Sequence, residues 1–130
     1  MSLNIPLRVN NLVKIYDTSD PYQLAKCLNC LVYTAKLPPK VNGFWKRMLR
    51  RKIIVINENL SEWKQAAVLC HELAHIILHR GYVAFSMRNI SFSSSRMERE
   101  ADEFAVCLMA YRYDLENYYV RQFLAESWRP

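Results

Sequence analysis

The segment His71-Glu72-Leu73-Ala74-His75 sets two imidazoles four positions apart, with a carboxylate directly after the first. On a helix turning about 100° per residue, His71 at 0° puts His75 near 40°, His79 near 80° and Glu72 near 100°, all on one face. Two imidazoles one turn apart can bind a single Zn²⁺, and a glutamate beside them can reach a water on that ion and take its proton. Zinc hydrolases keep three protein ligands and one open position, so a third ligand has to arrive from elsewhere in the chain.

Glu98-Arg99-Glu100-Ala101-Asp102-Glu103-Phe104-Ala105 supplies it. With Glu98 at 0° on a second helix, Asp102 falls near 40°, Met109 near 20° and Ala101 and Ala105 near 300° and 340°, whereas Glu100 and Glu103 fall at about 200° and 140°. Glu98 and Asp102 therefore share the apolar face, and Glu100 and Glu103 are expected to meet water. Two carboxylates facing a core are costly unless a metal or hydrogen-bond donors receive them. That selects Glu98 as the third ligand and Asp102 as the acceptor that orients a ligand histidine. Ser95-Arg96-Met97-Glu98 also fits a capping box, with Glu98 folded back onto Ser95. The histidine pair upstream and Asp102 one turn later turn the reading toward the ligand. His79 is either a core histidine bonded locally near its helix end or a group supporting the metal site or the substrate.

The elements that must position these residues read as follows. Asp20 and Pro21 open a helix over 21–35, with Leu24, Cys27, Leu28, Leu31 and Val32 at helical spacing until Pro38-Pro39. After Asn42-Gly43 comes Phe44-Trp45-Lys46-Arg47, a basic turn, and the β-branched run Lys52–Asn57, which predicts a buried strand within a hairpin or strand pair. Ser61 is expected to cap a helix running to about Arg80 and stopped by Gly81. Its residues from Ala66 to Leu78 are apolar over most of the circumference, which marks a buried helix whose polar stripe must be satisfied inside. A loop over 82–95, a helix over 96–110 and a helix over 115–126 capped by Asp114 complete the chain. The loop joins the two ligand-bearing helices and is expected at the rim of the cleft.

The chain has 130 residues, 52% of them hydrophobic, which suits one soluble domain spanning 1–130. A chain of this size buries roughly two thirds of the surface exposed when unfolded, so it needs no metal merely to form a core. No apolar run reaches the length of a membrane span, and no secretory signal is visible, so the expected compartment is the cytoplasm. Cysteines 27, 30, 70 and 107 then read as thiols, with Cys27 and Cys30 as two buried helix residues rather than half a zinc site.

Gly43-Phe44-Trp45, Ile53–Asn57, the run Val68–His79 and the block Glu98–Ala105 together resemble the ImmA/IrrE family of zinc metallopeptidases over about residues 20–110. The resemblance implies a small, mostly helical α+β domain of gluzincin-like, zincin-type fold, with a short sheet or hairpin beside the His71–His75 helix and residues 111–130 as a helical tail. It implies one zinc ion with His71, His75 and Glu98 as ligands and Glu72 as general base. It further implies a site-specific endopeptidase whose partner is a helix-turn-helix repressor of a phage or mobile element. The family block usually continues into Leu-Leu-Met-Pro, and here Leu108-Met109-Ala110-Tyr111 lacks the proline. No oxyanion donor is fixed; His79, Tyr82, Tyr111 and Tyr113 are the candidates.

Two other functions compete. One is a zinc-containing, non-proteolytic binding module, an anti-repressor or antitoxin-like protein; the intact Glu72 argues against it. The other is nucleic-acid binding: five of the eight residues Trp45–Lys52 are Lys or Arg, and 18 Lys+Arg against 12 Asp+Glu leave a net charge of +6. No DNA-binding motif accompanies that run, and a solvated hairpin tip explains it.

Overall fold

The computed structural model describes residues 3–79, 95–113 and 117–127. Among these residues five helices pack with a three-stranded mixed sheet, in the order α1 (Ile5–Tyr16), α2 (Pro21–Cys27), β1 (Cys30–Ala35), β2 (Gly43–Met48), β3 (Arg51–Asn57), α3 (Glu62–Leu78), α4 (Ser95–Met109) and α5 (Asn117–Ser127). The fold is a small, mostly helical α+β domain, as the sequence predicts.

Strand β3 lies at the centre of the sheet. It pairs in parallel with β1, Val32 opposite Ile54, and antiparallel with β2, Trp45 opposite Ile54. The expected hairpin is β2–β3, closed at Leu49-Arg50 between the paired Met48 and Arg51. Gly43 lets β2 start against β3 and α3, because a Cβ there would come within 2.7 Å of Val55 O and Val68 Cγ1. Buried Asn57 gathers the chain before β2 by donating from Nδ2 to the carbonyls of Leu37, Pro38 and Val41, the last at 3.0 Å.

The helix expected over 21–35 is only half helix. Asp20 caps it as predicted, accepting from Tyr22 N at 2.9 Å. The helix ends at Cys27 because Asn29 turns left-handed, with φ 59°, a conformation asparagine tolerates. Residues 30–35 then form a strand because β3 offers a partner, and pairing overrides local periodicity. Cys27 is consequently exposed at a helix end, and Cys30 is buried at the start of β1, so the two are not both buried helix residues. Helix α1 was absent from the sequence reading. Its signals are Asn4 accepting from Leu7 N, Pro6 in the first turn, and Ile5 and Val9 one turn apart in the core.

Helix α3 packs on the sheet and on α2, α4 and α5. Ser61 stands at its N-cap without a side-chain cap bond, and the Gln65 side chain instead donates to Leu60 O at 2.9 Å. Ala101 and Ala105 of α4 are fully buried, the small surface that admits close helix approach. Helix α5 closes the core through Val120 and Leu124 and sets Phe123 edge-on to Trp63 at 5.7 Å. The expected cap Asp114 and most of the 82–95 loop, Tyr82 included, fall outside the described residues; Ser95 opens α4.

Candidate metal centre

The interior of α3 contains neither Gly nor Pro, and Ala66–His71 and Leu73–Ile76 are buried without interruption. His71 and His75 therefore meet protein rather than water, and α4 provides their counterpart. Glu98 Oε1 lies 2.9 Å from His71 Nε2 and 3.1 Å from His75 Nε2. Glu98 sits in the first turn of α4, and its carboxylate points across to α3 rather than back along its own helix as the capping box requires. The three residues are buried, and their donor atoms lie within 4.8 Å of one another.

The outer nitrogen of each ring is also engaged. His71 Nδ1 is 2.9 Å from Asp102 Oδ1, a charge contact at ion-pair distance whose angle does not make it a hydrogen bond. His75 Nδ1 is 3.0 Å from His79 Nδ1, and His79 Nε2 is 2.9 Å from Glu100 Oε1. Glu100 was expected to face water; instead its side chain is 16% exposed and touches both His79 and Arg96. Helix angle alone misplaced it, because His79 at the end of α3 reaches beyond the apolar face of α4. Glu103, also expected in water, is partly exposed and pairs with Arg121 of α5.

The electrostatics follow from this packing. Burial alone would lower the His71 pKa, but the Asp102 and Glu98 carboxylates outweigh it and push it up to about 10. Burial also works against the Glu98 carboxylate, yet the bonds from His71 and His75 hold its pKa well below the usual range. Glu72 is raised by burial, with Glu98 adding to the rise and the two histidines opposing it. His79 is lowered by burial against the upward pull of Glu100. Without a metal, one carboxylate oxygen and two imidazole nitrogens must share protons in a buried space. A cation suits them better: with Nδ1 of each ring tied outside, both Nε2 lone pairs and a carboxylate are left directed at a common point. Zn–N and Zn–O bonds of about 2.0–2.2 Å span donor separations of roughly 3–3.5 Å, close to the 2.9 Å and 3.1 Å between Glu98 and the two histidines.

Among the oxyanion candidates, Tyr111 donates its hydroxyl to Asn10 Oδ1 of α1 at 3.1 Å, and Tyr113 packs against the core. The basic run occupies the β2–β3 hairpin. There Leu49 stands 94% exposed with φ 58° at the tip. No helix among the described residues is long and apolar enough to cross a membrane.

A buried cluster of two histidines and one glutamate, carried by two packed helices beside a small mixed sheet, defines a domain able to hold a metal ion. The chain belongs to peptidase family M78, a metallopeptidase family whose IrrE N-terminal-like domain matches residues 25–124. It is also 38% identical over 124 residues to "Uncharacterized immunity region protein 2" of Bacillus phage phi105, covering 95% of this chain and 78% of that protein. No solved structure gives a significant match.

Proposed function

We propose that this chain is a zinc-dependent, site-specific endopeptidase, with one Zn²⁺ held by His71, His75 and Glu98, that cleaves a helix-turn-helix repressor of phage or mobile-element type in the cytoplasm. The observation that carries the reading is the approach of one Glu98 oxygen to both Nε2 atoms, 2.9 Å and 3.1 Å away. Membership of a metallopeptidase family supports the reaction class, and a relative named for a phage immunity region supports the substrate class.

Zn²⁺ in such a cage serves as a Lewis acid and brings the pKa of water toward neutrality. The protein's own groups do the rest. Asp102, 2.9 Å from His71 Nδ1, and His79, bonded to His75 Nδ1, would draw the ring protons to the Nδ1 side and leave both Nε2 lone pairs available. Glu72 follows His71 on α3 and is pushed up by burial toward the range in which a carboxylate both takes and returns a proton. In this reading it accepts the proton of the attacking water and passes it to the leaving amine.

The test is incubation of candidate helix-turn-helix repressors with the wild type and with Glu72→Gln, with zinc content measured on the same samples. Discrete fragments from the wild type alone, at equal zinc content, are expected. His71→Ala and Glu98→Ala are expected to lose the zinc as well as the cleavage. Cleavage by Glu72→Gln at the wild-type rate would remove Glu72 from its role. Tight repressor binding without cleavage by any form would favour the non-proteolytic binder.

A further inference from the structure

His79 is a wall shared between two spaces. Its Nδ1 touches His75, and its ring lines a cleft of about 220 Å³ at the end of α3. Leu28, Trp45, Ile76 and Ile77 form the apolar lining of that cleft, and Arg47 and Lys52 its cationic part. Liquid water takes about 30 Å³ per molecule, so the volume suits one side chain and its solvent rather than a folded partner.

Arg47 and Lys52 stand directly opposite each other across the β2–β3 ladder. Side chains alternate along a strand, so both share the face of buried Trp45 and Ile54, the face that α3 covers. Like charges directly opposite destabilise a strand pair. Neither residue forms an ion pair with a described residue. The acidic residues of α4 are already engaged: Glu98, Glu100 and Asp102 contact histidines and Glu103 contacts Arg121. Residues 80–94, which join α3 to α4, contain no Asp or Glu. Two cations thus stand opposite each other over an apolar floor, and among the described residues no carboxylate pairs with either.

We infer that this cleft is a specificity subsite that takes an acidic side chain of an extended peptide, its carboxylate between Arg47 and Lys52 and its stem against Trp45, Ile76 and Ile77. The inference rests on the endopeptidase reading, since that reading brings a peptide to this face. An arginine fork grips a carboxylate through paired charge-assisted bonds, and the apolar floor seats the stem of the side chain that carries it. A nucleic-acid backbone asks for something else, a track of cations spaced along successive phosphates.

The test measures binding, so it does not depend on cleavage. Full-length ¹⁵N-labelled Glu72→Gln protein, loaded with zinc, is titrated at fixed ionic strength with acetyl-Ala-Glu-Ala-amide, its Gln counterpart, and acetyl-Ala-Ala-Ala bearing a free C-terminal carboxylate. The signals followed are the Trp45 indole N–H and the Arg47 Nε–H. Saturable shifts with the Glu peptide, about tenfold weaker with the Gln peptide, are expected, and Arg47→Gln/Lys52→Gln should abolish the difference. Arg50→Gln/Arg51→Gln removes the same charge outside the cleft and should preserve it. Equal binding of Glu and Gln peptides, no saturable shift, or an equal effect of both double variants would overturn the inference. Stronger binding of the C-terminal carboxylate than of the Glu side chain would overturn the side-chain assignment, and displacement of the peptide by a short DNA duplex from these same two signals would overturn the peptide. Glu-selective binding together with a failure of the wild type to cut any repressor would sink the endopeptidase reading alone. Repressor cleavage without Glu-selective binding would sink the subsite alone.

Discussion

His79 Nδ1 lies 3.0 Å from His75 Nδ1, an imidazole contacting an imidazole where a carboxylate would be the ordinary partner. One of the two nitrogens must carry the proton. Glu100 settles which: its carboxylate, 2.9 Å from His79 Nε2, accepts a hydrogen bond from that nitrogen, leaving the His79 Nδ1 lone pair to accept from His75. His75 is thereby fixed in the tautomer whose Nε2 is free to bind a metal. The lowered pKa of His79, set mainly by burial, keeps that ring neutral and able to accept.

Removing this support should weaken metal binding without unfolding the protein. His79→Ala is expected to lower zinc affinity by about 10–100-fold, the usual effect of losing a group that orients a ligand histidine. Glu100→Gln should fall between wild type and His79→Ala, and His79→Asn, which still offers an acceptor, should recover part of the loss. Competition with a chromophoric chelator measures the affinity, and thermal melting of the metal-free variants controls for folding. An unchanged zinc affinity in His79→Ala would show that His79 only fills space.

The metal-free protein should be most stable somewhere between about pH 4.5 and 6.5, where Glu72 and His79 pull in opposite directions, and lose stability on either side of that window. His71, with a pKa pushed up to about 10, binds its proton more tightly folded than unfolded. Its contribution is complete below its ordinary value of about 6.5 and is lost as pH rises toward about 10, with a slope of at most about 1.4 kcal/mol per pH unit for one proton. Glu72, raised by burial, has the same sign, its loss beginning above the ordinary carboxylate value. Glu98 is held low, so its contribution is present above the ordinary carboxylate value and disappears as pH falls. His79, lowered by burial, likewise loses its contribution as pH falls below the ordinary histidine value. Zinc competes with the proton on His71, so the melting shift produced by a fixed zinc concentration should grow from pH 6 to pH 8. Urea melts of the metal-free protein across this range check the curve. Stability that stays level between pH 7 and pH 10 would mean that His71 holds no extra proton.

The histidine–carboxylate cluster was legible in the sequence because its spacing is local. His71, Glu72 and His75 share one helix, and Glu98 and Asp102 lie one turn apart on another, so angle and cost of burial together placed them. The structure brings Glu98 to both histidines and Asp102 to His71. Glu100 escaped, because its partner depends on where α3 ends relative to α4, which no single helix wheel contains. Strand β1 escaped for a similar reason: Leu31 and Val32 satisfy helical and extended patterns alike, and the choice belongs to β3. Helix α1 carries its signals in a short stretch, the cap Asn4 and Pro6 in the first turn.

Gly43→Ala should destabilise the domain by roughly 1–3 kcal/mol, the usual range for overpacking a tight contact. The added methyl would lie 2.7 Å from Val55 O, a backbone atom of β3, and equally close to Val68 Cγ1 on α3. Neither can yield without shifting the sheet against the helix. Val68 sits three residues before His71, so the shift should reach the proposed metal ligands and lower zinc affinity as well. Chemical denaturation and zinc titration of the same variant test both effects, and an unchanged midpoint would show that the sheet and α3 separate freely at this point.

The tip of the hairpin offers a change of opposite sign. Leu49 is 94% exposed and holds φ 58°, so its side chain gains nothing from packing while its backbone occupies the left-handed region. That conformation costs a branched residue about 1–2 kcal/mol. Positive φ at Leu49 alone of the two turn residues is the pattern of a type II′ turn, whose first position favours glycine, and asparagine recovers only part of the cost. The expected order of stability is Leu49→Gly above Leu49→Asn, then wild type, with Leu49→Ile lowest because a β-branched side chain tolerates this region least. Melting temperatures of the four proteins decide the matter. A wild type more stable than Leu49→Asn would mean that the exposed leucine is held by a contact, with another part of the chain or with a second molecule, that outweighs the strain of its backbone.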